Sequence, residues 1–152
     1  MIARWRVEMV VQLAVGAVAS TCNIVIHSFT MATIIKVVKA HVNIRKHSIA
    51  SLSMIMSAVV WVLMVAHALE ILIWTIIYRM TGAGPDGSDL LYFAFVNYTT
   101  LGYGDIVPVV HWRLLGPVAA MNGILLFGWS TAVIFEVLRR TLIRIDELGN
   151  QA

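Results

Sequence analysis

The chain has 152 residues, of which 60% are hydrophobic and only 12% are charged. A soluble domain needs a polar surface, so this composition excludes one and indicates a membrane protein with room for a single domain. The formal net charge of +3 does not indicate nucleic-acid binding, because the basic residues lie beside apolar segments, where the positive-inside rule places them.

The first apolar segment extends from residue 9 to about residue 38, which is longer than the roughly 20 residues that cross a bilayer. We expect a transmembrane helix that is tilted or that continues past the membrane surface. A secretory signal is the disfavoured alternative, because Thr21 suits a cleaved bond poorly and apolar residues continue beyond it. Cys22 is the only cysteine, which excludes a disulfide within the chain and a cysteine-built metal site.

A basic segment at residues 40–47 interrupts the hydrophobicity and completes an N-terminal unit, residues 1–47. Together with Lys36 and Lys39 it forms a loop that the positive-inside rule places in the cytoplasm. No helix carries arginine at every third position, so we predict no voltage sensor and interpret the two lysines as interfacial residues.

A second apolar segment predicts a helix over residues 49–80, and the residues at 81–89 are rich in turn formers, which predicts a loop. Asp89 or Ser88 can then cap a helix over residues 90–99 by accepting hydrogen bonds from its first free amides. That helix would be about 15 Å long. It is too short to cross a bilayer but suits a re-entrant segment.

The segment Thr100-Leu101-Gly102-Tyr103-Gly104 is the one around which the rest of the chain is organised. Successive carbonyls normally alternate in direction along an extended strand. Gly102 and Gly104 can adopt unusual dihedrals at every second residue without a Cβ penalty, which would turn the carbonyls to one side. The side chains of Leu101 and Tyr103 would then point outward and wedge the loop against surrounding protein, while the Thr100 hydroxyl adds one more oxygen.

The last apolar segment predicts a helix over residues 113–142, and arginines at its end place a short tail, residues 145–152, in the cytoplasm. Gly123 is either a hinge at which the helix can bend or a site of close helix packing, and the sequence leaves both open. For Gly128 we favour packing, because small residues in membrane helices more often allow close approach than bending.

Residues 100–105 resemble the TVGYGD signature of potassium channels, with Leu101 where most members carry valine or isoleucine. The order of the surrounding elements is similar to that family as well: outer helix, turret, pore helix, filter and inner helix. The resemblance therefore implies a potassium-channel pore domain over residues 48–144, preceded by one additional transmembrane helix.

This resemblance implies an all-α membrane protein with three transmembrane helices, a re-entrant pore helix and filter loop, and a homotetramer with fourfold symmetry. The filter would be residues 100–104, and Asp105 would be a carboxylate at the pore mouth that can bond a pore-helix aromatic such as Tyr92. The oxygens that would bind K+ belong to Thr100, Leu101, Gly102 and Tyr103.

The same resemblance implies a location in a bacterial inner membrane, with the filter facing outside. By parity the N-terminus would then lie outside and the C-terminus in the cytoplasm. Arg4 and Arg6 fit this poorly, so a first helix lying partly along the membrane interface is the alternative. In the tetramer we expect the first helix at the periphery, facing lipid.

We expect K+ as the transported ion, the lipid bilayer and identical subunits as partners, and no organic cofactor, nucleic acid or cytoplasmic ligand. No nucleophile is paired with a base in the sequence, so we predict no enzyme. The alternatives are a weakly selective cation channel, a potassium-transporter subunit and a non-conducting scaffold. A transporter subunit usually carries four repeats in one chain, whereas this chain has a single filter segment.

Two ionisable residues of the second helix, His67 and Glu70, are three positions apart and share one face. Because such groups are costly at bilayer depth, we predict that they bond each other or pore-domain groups. Proton sensing by His67 is less favoured and metal binding least. If Met9 lies level with Tyr78 in an antiparallel pair, His27 is roughly 15 Å from Glu70, too far for contact.

The sequence leaves open the roles of two polar residues of the last helix. Asn122 faces either the cavity or a neighbouring helix. Ser130 we interpret as pore-lining or bonded to the backbone.

Overall fold

The computed structural model describes residues 2–41 and 49–149, with side chains for residues 6–39 and 50–143. Its elements are α1 (Ile2–His41), α2 (Ile49–Thr81), α3 (Leu90–Tyr98), a 3-10 turn (Val110–Trp112) and α4 (Leu115–Gly149). Three spans are long and apolar enough to cross a membrane: Arg6–Lys39, Ala50–Thr81 and Val110–Ile143. The predicted all-α membrane fold with three transmembrane helices is therefore confirmed.

The helix bounds differ from the predicted ones mainly at two ends: α1 begins at Ile2, before the apolar segment that starts at residue 9, and α4 continues to Gly149 rather than ending at residue 142. Hydropathy marks where the apolar segment ends, but polar residues with good helix propensity can extend a helix beyond the bilayer. The basic loop predicted at residues 40–47 lies outside the described residues beyond His41. The last three residues of the predicted tail, 150–152, lie outside them as well.

The loop between α2 and α3 sets the start of the short helix. The Asp89 carboxylate accepts hydrogen bonds from the backbone amides of Leu91 and Tyr92 at 3.0 and 3.1 Å, so Asp89 is the N-cap of α3. The amide of Val109, beyond the filter segment, donates to the carbonyl of Ala83 at 2.9 Å. These contacts hold both ends of the re-entrant segment against the end of α2.

α3 lies in the core of the subunit, where it packs against α2 and the start of α4. This core contains Ala19, Ile71, Trp74, Tyr78, Ala83, Phe93, Ala94, Tyr98, Leu115 and Ala119. A helix of only nine residues is marginal on its own. Its stability therefore comes from this burial and from its cap.

α1 packs against both α2 and α4, running parallel to α4 and antiparallel to α2. Near its start, Gln12 accepts a hydrogen bond from the amide of Leu114 at 2.9 Å, and Gly16 lies against Val118. Near its end, a second core cluster joins the three helices: Met31, Ile34, Val38, Val59, Leu63, Val133 and Val137.

This packing defines the position of the first helix within the chain, while its place at the periphery of a tetramer, facing lipid, stays a prediction. One face of α1 is buried against the outer and inner helices of the same subunit, and only the opposite face is exposed. Contact along the length of both partners is that of a transmembrane helix, so the alternative of a helix lying along the interface is wrong. Glu8 also lies 3.7 Å from His111, which places the start of α1 at the filter end of the subunit.

Candidate functional site

The backbone of the filter segment alternates between residues with positive φ, which are left-handed, and residues without it. Thr100, Gly102 and Gly104 have φ of 60°, 62° and 75°, whereas Leu101 and Tyr103 between them do not have positive φ. Glycine adopts this left-handed region freely, but for a β-branched threonine it is an outlier. Such strain costs on the order of 1–3 kcal/mol per residue and persists only where the surrounding structure enforces it. Every second residue is thus turned, which is the alternation expected of a segment whose carbonyls face one side.

The filter segment begins from the end of α3. The carbonyl of Val96 accepts hydrogen bonds from the amides of Leu101 at 3.0 Å and Gly102 at 3.4 Å, and the amide of Thr100 donates to Asn97 at 3.1 Å. These bonds form the turn that reverses the chain into the filter. They account for the left-handed conformation at Thr100, which is unexpected for a threonine although Thr100 continues the spacing of the two glycines.

The side chains between the turned residues point away from the rest of the chain. Leu101 is 53% exposed and Tyr103 is 69% exposed. We expected these side chains to wedge the loop against surrounding protein, and the described part of this chain does not cover them. Large apolar side chains left open in this way mark an interaction surface.

Asp105 stands at the far end of the filter segment, where its carboxylate accepts a hydrogen bond of 2.7 Å from the hydroxyl of Tyr92 on α3. The hydrogen bond to this carboxylate raises the pKa of Tyr92, so the hydroxyl remains a donor. The contact braces the end of the filter segment against the start of the pore helix.

Gly123 packs against the other end of α3. A Cβ at this position would collide with the backbone carbonyl oxygen of Tyr98, so α4 approaches the end of the short helix as closely as only glycine allows. This favours the packing interpretation of Gly123. Gly128 differs from the prediction, because an added Cβ there meets open space within 4 Å in the described part of the chain.

A second polar site lies in the middle of the subunit, around Glu70. Its carboxylate contacts Nδ1 of His27 at 2.8 Å and Nδ1 of His67 at 2.9 Å, and it accepts a short hydrogen bond from the Tyr98 hydroxyl. His67 Nδ1 also lies 2.9 Å from that hydroxyl. Glu70 and His27 have no exposed side-chain surface.

α4 contributes polar groups to the same region. Ser130 Oγ lies 2.9 Å from Nε2 of His67 and 3.4 Å from Nε2 of His27, so the prediction that Ser130 lines the pore or bonds the backbone is wrong. Asn122 faces neighbouring helices, where its side-chain oxygen accepts hydrogen bonds from Asn23 at 2.9 Å and from the Trp74 indole at 3.1 Å.

The contact between His27 and Glu70 overturns the expectation that they lie too far apart. Placing Met9 level with Tyr78 assumed that α1 and α2 are aligned at their ends. In the structure α1 is shifted along α2 relative to that alignment, so that both Asn23 and His27 lie beside Glu70. Packing decides this register, because the amide of Asn23 reaches the backbone carbonyl of Glu70 at 3.3 Å, one turn before His27.

A signal for this buried face is present in the sequence of α1. One set of its polar or small residues recurs at spacings of three and four, which places this set on one side of the helix. The residues of this set are buried: Gln12, Gly16, Ala19, Asn23 and His27. In an apolar helix, polar residues on one stripe indicate the side that faces protein.

The family described as an ion channel matches residues 65–140, which is half of the chain. The matched region contains most of α2, all of α3, the filter segment and most of α4. No curated protein and no solved structure matches the chain.

Proposed function

The chain belongs to the ion-channel family, and on that premise we propose that four copies of it form a potassium-selective channel that conducts K+ passively. The observation that carries this proposal is the alternation of left-handed residues at Thr100, Gly102 and Gly104. It turns carbonyl oxygens to one side, and stacked rings of such oxygens replace the water around a dehydrated K+. The oxygens of Thr100, Leu101, Gly102 and Tyr103 are the proposed ligands.

A homotetramer would supply the closed ring of filter strands that one chain cannot form. One chain contributes one filter strand, and a closed ring around the ion needs identical strands related by a cyclic axis. The exposed side chains of Leu101 and Tyr103 would be covered by neighbouring subunits. Apolar residues of α4 that are also exposed would face the central cavity or the adjacent subunits; they include Met121, Ile124 and Leu125.

We place the filter at the outer face of a bacterial inner membrane and the end of α4 in the cytoplasm, following the basic residues near residues 36–46 and 139–144. Asp105 would then be a carboxylate at the outer mouth, where it raises the local concentration of cations. Ions would pass by mutual displacement between adjacent sites, which keeps binding favourable without trapping the ion.

The runner-up is a weakly selective cation channel, and the observation that favours it is Leu101. Its side chain differs in shape from the β-branched residue that most filters carry, so it changes how the filter packs against its neighbours. The K+ ligand at this position is the backbone oxygen, and we therefore expect selectivity for K+ to persist.

The test is ion flux through the purified protein in liposomes. We expect K+ flux that exceeds Na+ flux and is blocked by Ba2+, and a native mass corresponding to four chains. Gly102→Ala should abolish the flux, because alanine resists the left-handed conformation by about 1–2 kcal/mol. Gly87→Ala is the matched control, since Gly87 also has a positive φ and an added Cβ there meets open space, but it lies in the loop before α3.

Equal fluxes of Na+ and K+ would favour the weakly selective channel. An absence of flux from a folded tetramer would favour a non-conducting scaffold. A monomer or dimer, or unaltered permeation in Gly102→Ala, would overturn the proposal.

A further inference from the structure

The cluster around Glu70 joins all four helices, and its hydrogen bonds allow its protons to be counted. An ionised carboxylate can only accept hydrogen bonds. Its two oxygens face Nδ1 of His27, Nδ1 of His67 and the hydroxyl of Tyr98. With Glu70 ionised, each of the three groups must therefore donate, and both imidazoles then carry a proton on Nδ1.

The opposite nitrogens of the two rings meet at Ser130 Oγ, at 2.9 Å for His67 and 3.4 Å for His27. If both rings were neutral, both Nε2 atoms would be acceptors competing for the single hydroxyl proton of Ser130. With one additional proton, one ring donates through Nε2 to Ser130 Oγ, and the serine hydroxyl donates to the other ring. Every polar atom facing this centre then has a partner.

The charge balance of the cluster also indicates one proton more than two neutral imidazoles hold. A carboxylate without a counter-charge is costly inside a protein and more so at bilayer depth. The titratable groups that face Glu70 are His27 from α1, His67 from α2 and Tyr98 from α3, while α4 supplies the neutral Ser130. With Glu70 ionised, one imidazolium makes the cluster neutral, whereas two neutral rings leave the negative charge unpaired. Moving the extra proton to Glu70 would also give a neutral cluster, with two neutral rings, and the nitrogen-15 spectrum of the histidines separates the two forms.

We propose that His27, His67 and Glu70 form a buried proton-binding site, which holds one proton more than two neutral imidazoles and fixes the end of the pore helix through Tyr98. The excess proton is shared between two rings that both contact Ser130. Tyr98 is two residues before Thr100, so this ion-paired cluster positions the start of the filter segment.

A divalent metal is the competing ligand for these side chains, because their candidate ligand atoms lie within 4.8 Å of one another. Bonds of about 2.0–2.1 Å in a tetrahedral zinc site separate neighbouring ligands by roughly 3.3 Å. The two contacts of 2.8 and 2.9 Å between histidine nitrogens and carboxylate oxygens are shorter and match direct hydrogen bonds. The geometry thus favours a proton over a metal.

The test is solid-state nuclear magnetic resonance of the full chain in liposomes at pH 7 with histidines labelled by nitrogen-15. We expect the equivalent of one imidazolium shared by His27 and His67, assigned with the variants His27→Gln and His67→Gln. In Glu70→Gln, which keeps the shape and removes the charge, that imidazolium signal should disappear.

Two neutral rings in the wild-type spectrum would overturn the proposal, whether or not any variant folds. An imidazolium unaffected by Glu70→Gln would overturn it as well. Zinc that copurifies with the chain in equal amount and is lost in His27→Gln would overturn the proposal and show that the site binds a metal.

The positioning role is tested with Tyr98→Phe, which keeps the ion pair and removes its link to the pore helix. We expect the imidazolium signal to remain while K+ flux falls at least several-fold at equal tetramer content. Unchanged flux would overturn the positioning role. This part rests on the proposed potassium conduction, whereas the spectroscopic count does not, so failure of the proposed function would appear as missing wild-type flux with an intact spectrum.

Discussion

The hydrogen bond between Tyr92 and Asp105 braces a segment that contains three left-handed residues. Strained backbone of this kind needs support at both ends. At its start the segment is held by hydrogen bonds from its backbone amides to carbonyls at the end of α3. At its far end the Tyr92 hydroxyl donates a hydrogen bond to Asp105. A single side-chain contact therefore has a large influence on the shape of the filter.

Replacing Tyr92 with Phe removes the donor and keeps the ring, so we expect the filter to lose its conducting shape more easily. Steady-state K+ flux should fall several-fold while the helical content stays unchanged. Asp105→Asn should act in the same direction, and the double variant should be little worse than either single one. Wild-type flux in Tyr92→Phe would contradict this role.

The same contact predicts a dependence on alkaline pH. The hydrogen bond to Asp105 raises the pKa of Tyr92 above the ordinary value of 10.0. Its stabilisation is therefore fully present below pH 10 and is lost as the pH rises through the higher pKa of the folded protein. Tyrosinate absorbance of the wild type minus that of Tyr92→Phe should report a titration above pH 10. A titration at or below this value would contradict it.

At the scale of the helices, Gly123 and Gly128 lie on the same transmembrane helix but in different surroundings. Gly123 is buried against the carbonyl of Tyr98, whereas Gly128 is exposed in the chain. A hinge and a packing site make different demands on a glycine. Alanine makes a helix harder to bend than glycine does, and its methyl group also occupies the space that close packing needs, so loss of stability separates the two roles.

Gly123→Ala should therefore destabilise the protein by about 1–3 kcal/mol, as expected for overpacking. Gly128→Ala should be neutral or slightly stabilising, because alanine favours helix over glycine by up to about 1 kcal/mol. Thermal loss of helical circular dichroism in detergent measures both. Equal stability of the two variants, with a change in flux alone for Gly123→Ala, would support a hinge instead.

At the scale of the whole molecule, the direction of α1 determines which segments lie at each end of the chain's helical bundle. It runs parallel to α4, and the contact between Glu8 and His111 puts its start at the filter end. The end of α4 lies at the opposite end of the subunit. In a membrane, residues near the start of α1 and in the loop before α3 should therefore share one side.

This arrangement is tested by cysteine labelling in a Cys22→Ser background. Arg6→Cys and Asp86→Cys should react with a membrane-impermeant maleimide from the same side, and Glu147→Cys only from the other side. Spheroplasts and inverted vesicles present the two sides separately. Labelling of Arg6→Cys together with Glu147→Cys would contradict the packing of α1 against α4.

The sequence by itself determined the helices of this protein and the turned backbone of residues 100–104. Hydropathy located three transmembrane helices, because the bilayer demands long apolar segments wherever they later pack. The spacing of Gly102 and Gly104 indicated the turned backbone, since backbone conformation depends on local sterics. Asp89 as a possible cap and Tyr92 as a partner for Asp105 were within reach of the same local reasoning.

Only the tertiary structure decided which helices meet and at what height. The contact of His27 with Glu70, the place of Ser130 in the same cluster and the packing of Gly123 on Tyr98 depend on how α1 and α4 slide along their neighbours. Apolar surfaces tolerate many such registers at similar energy, because lipid and leucine are equally apolar. Close packing and buried hydrogen bonds between distant residues select one of them, and hydropathy does not record them.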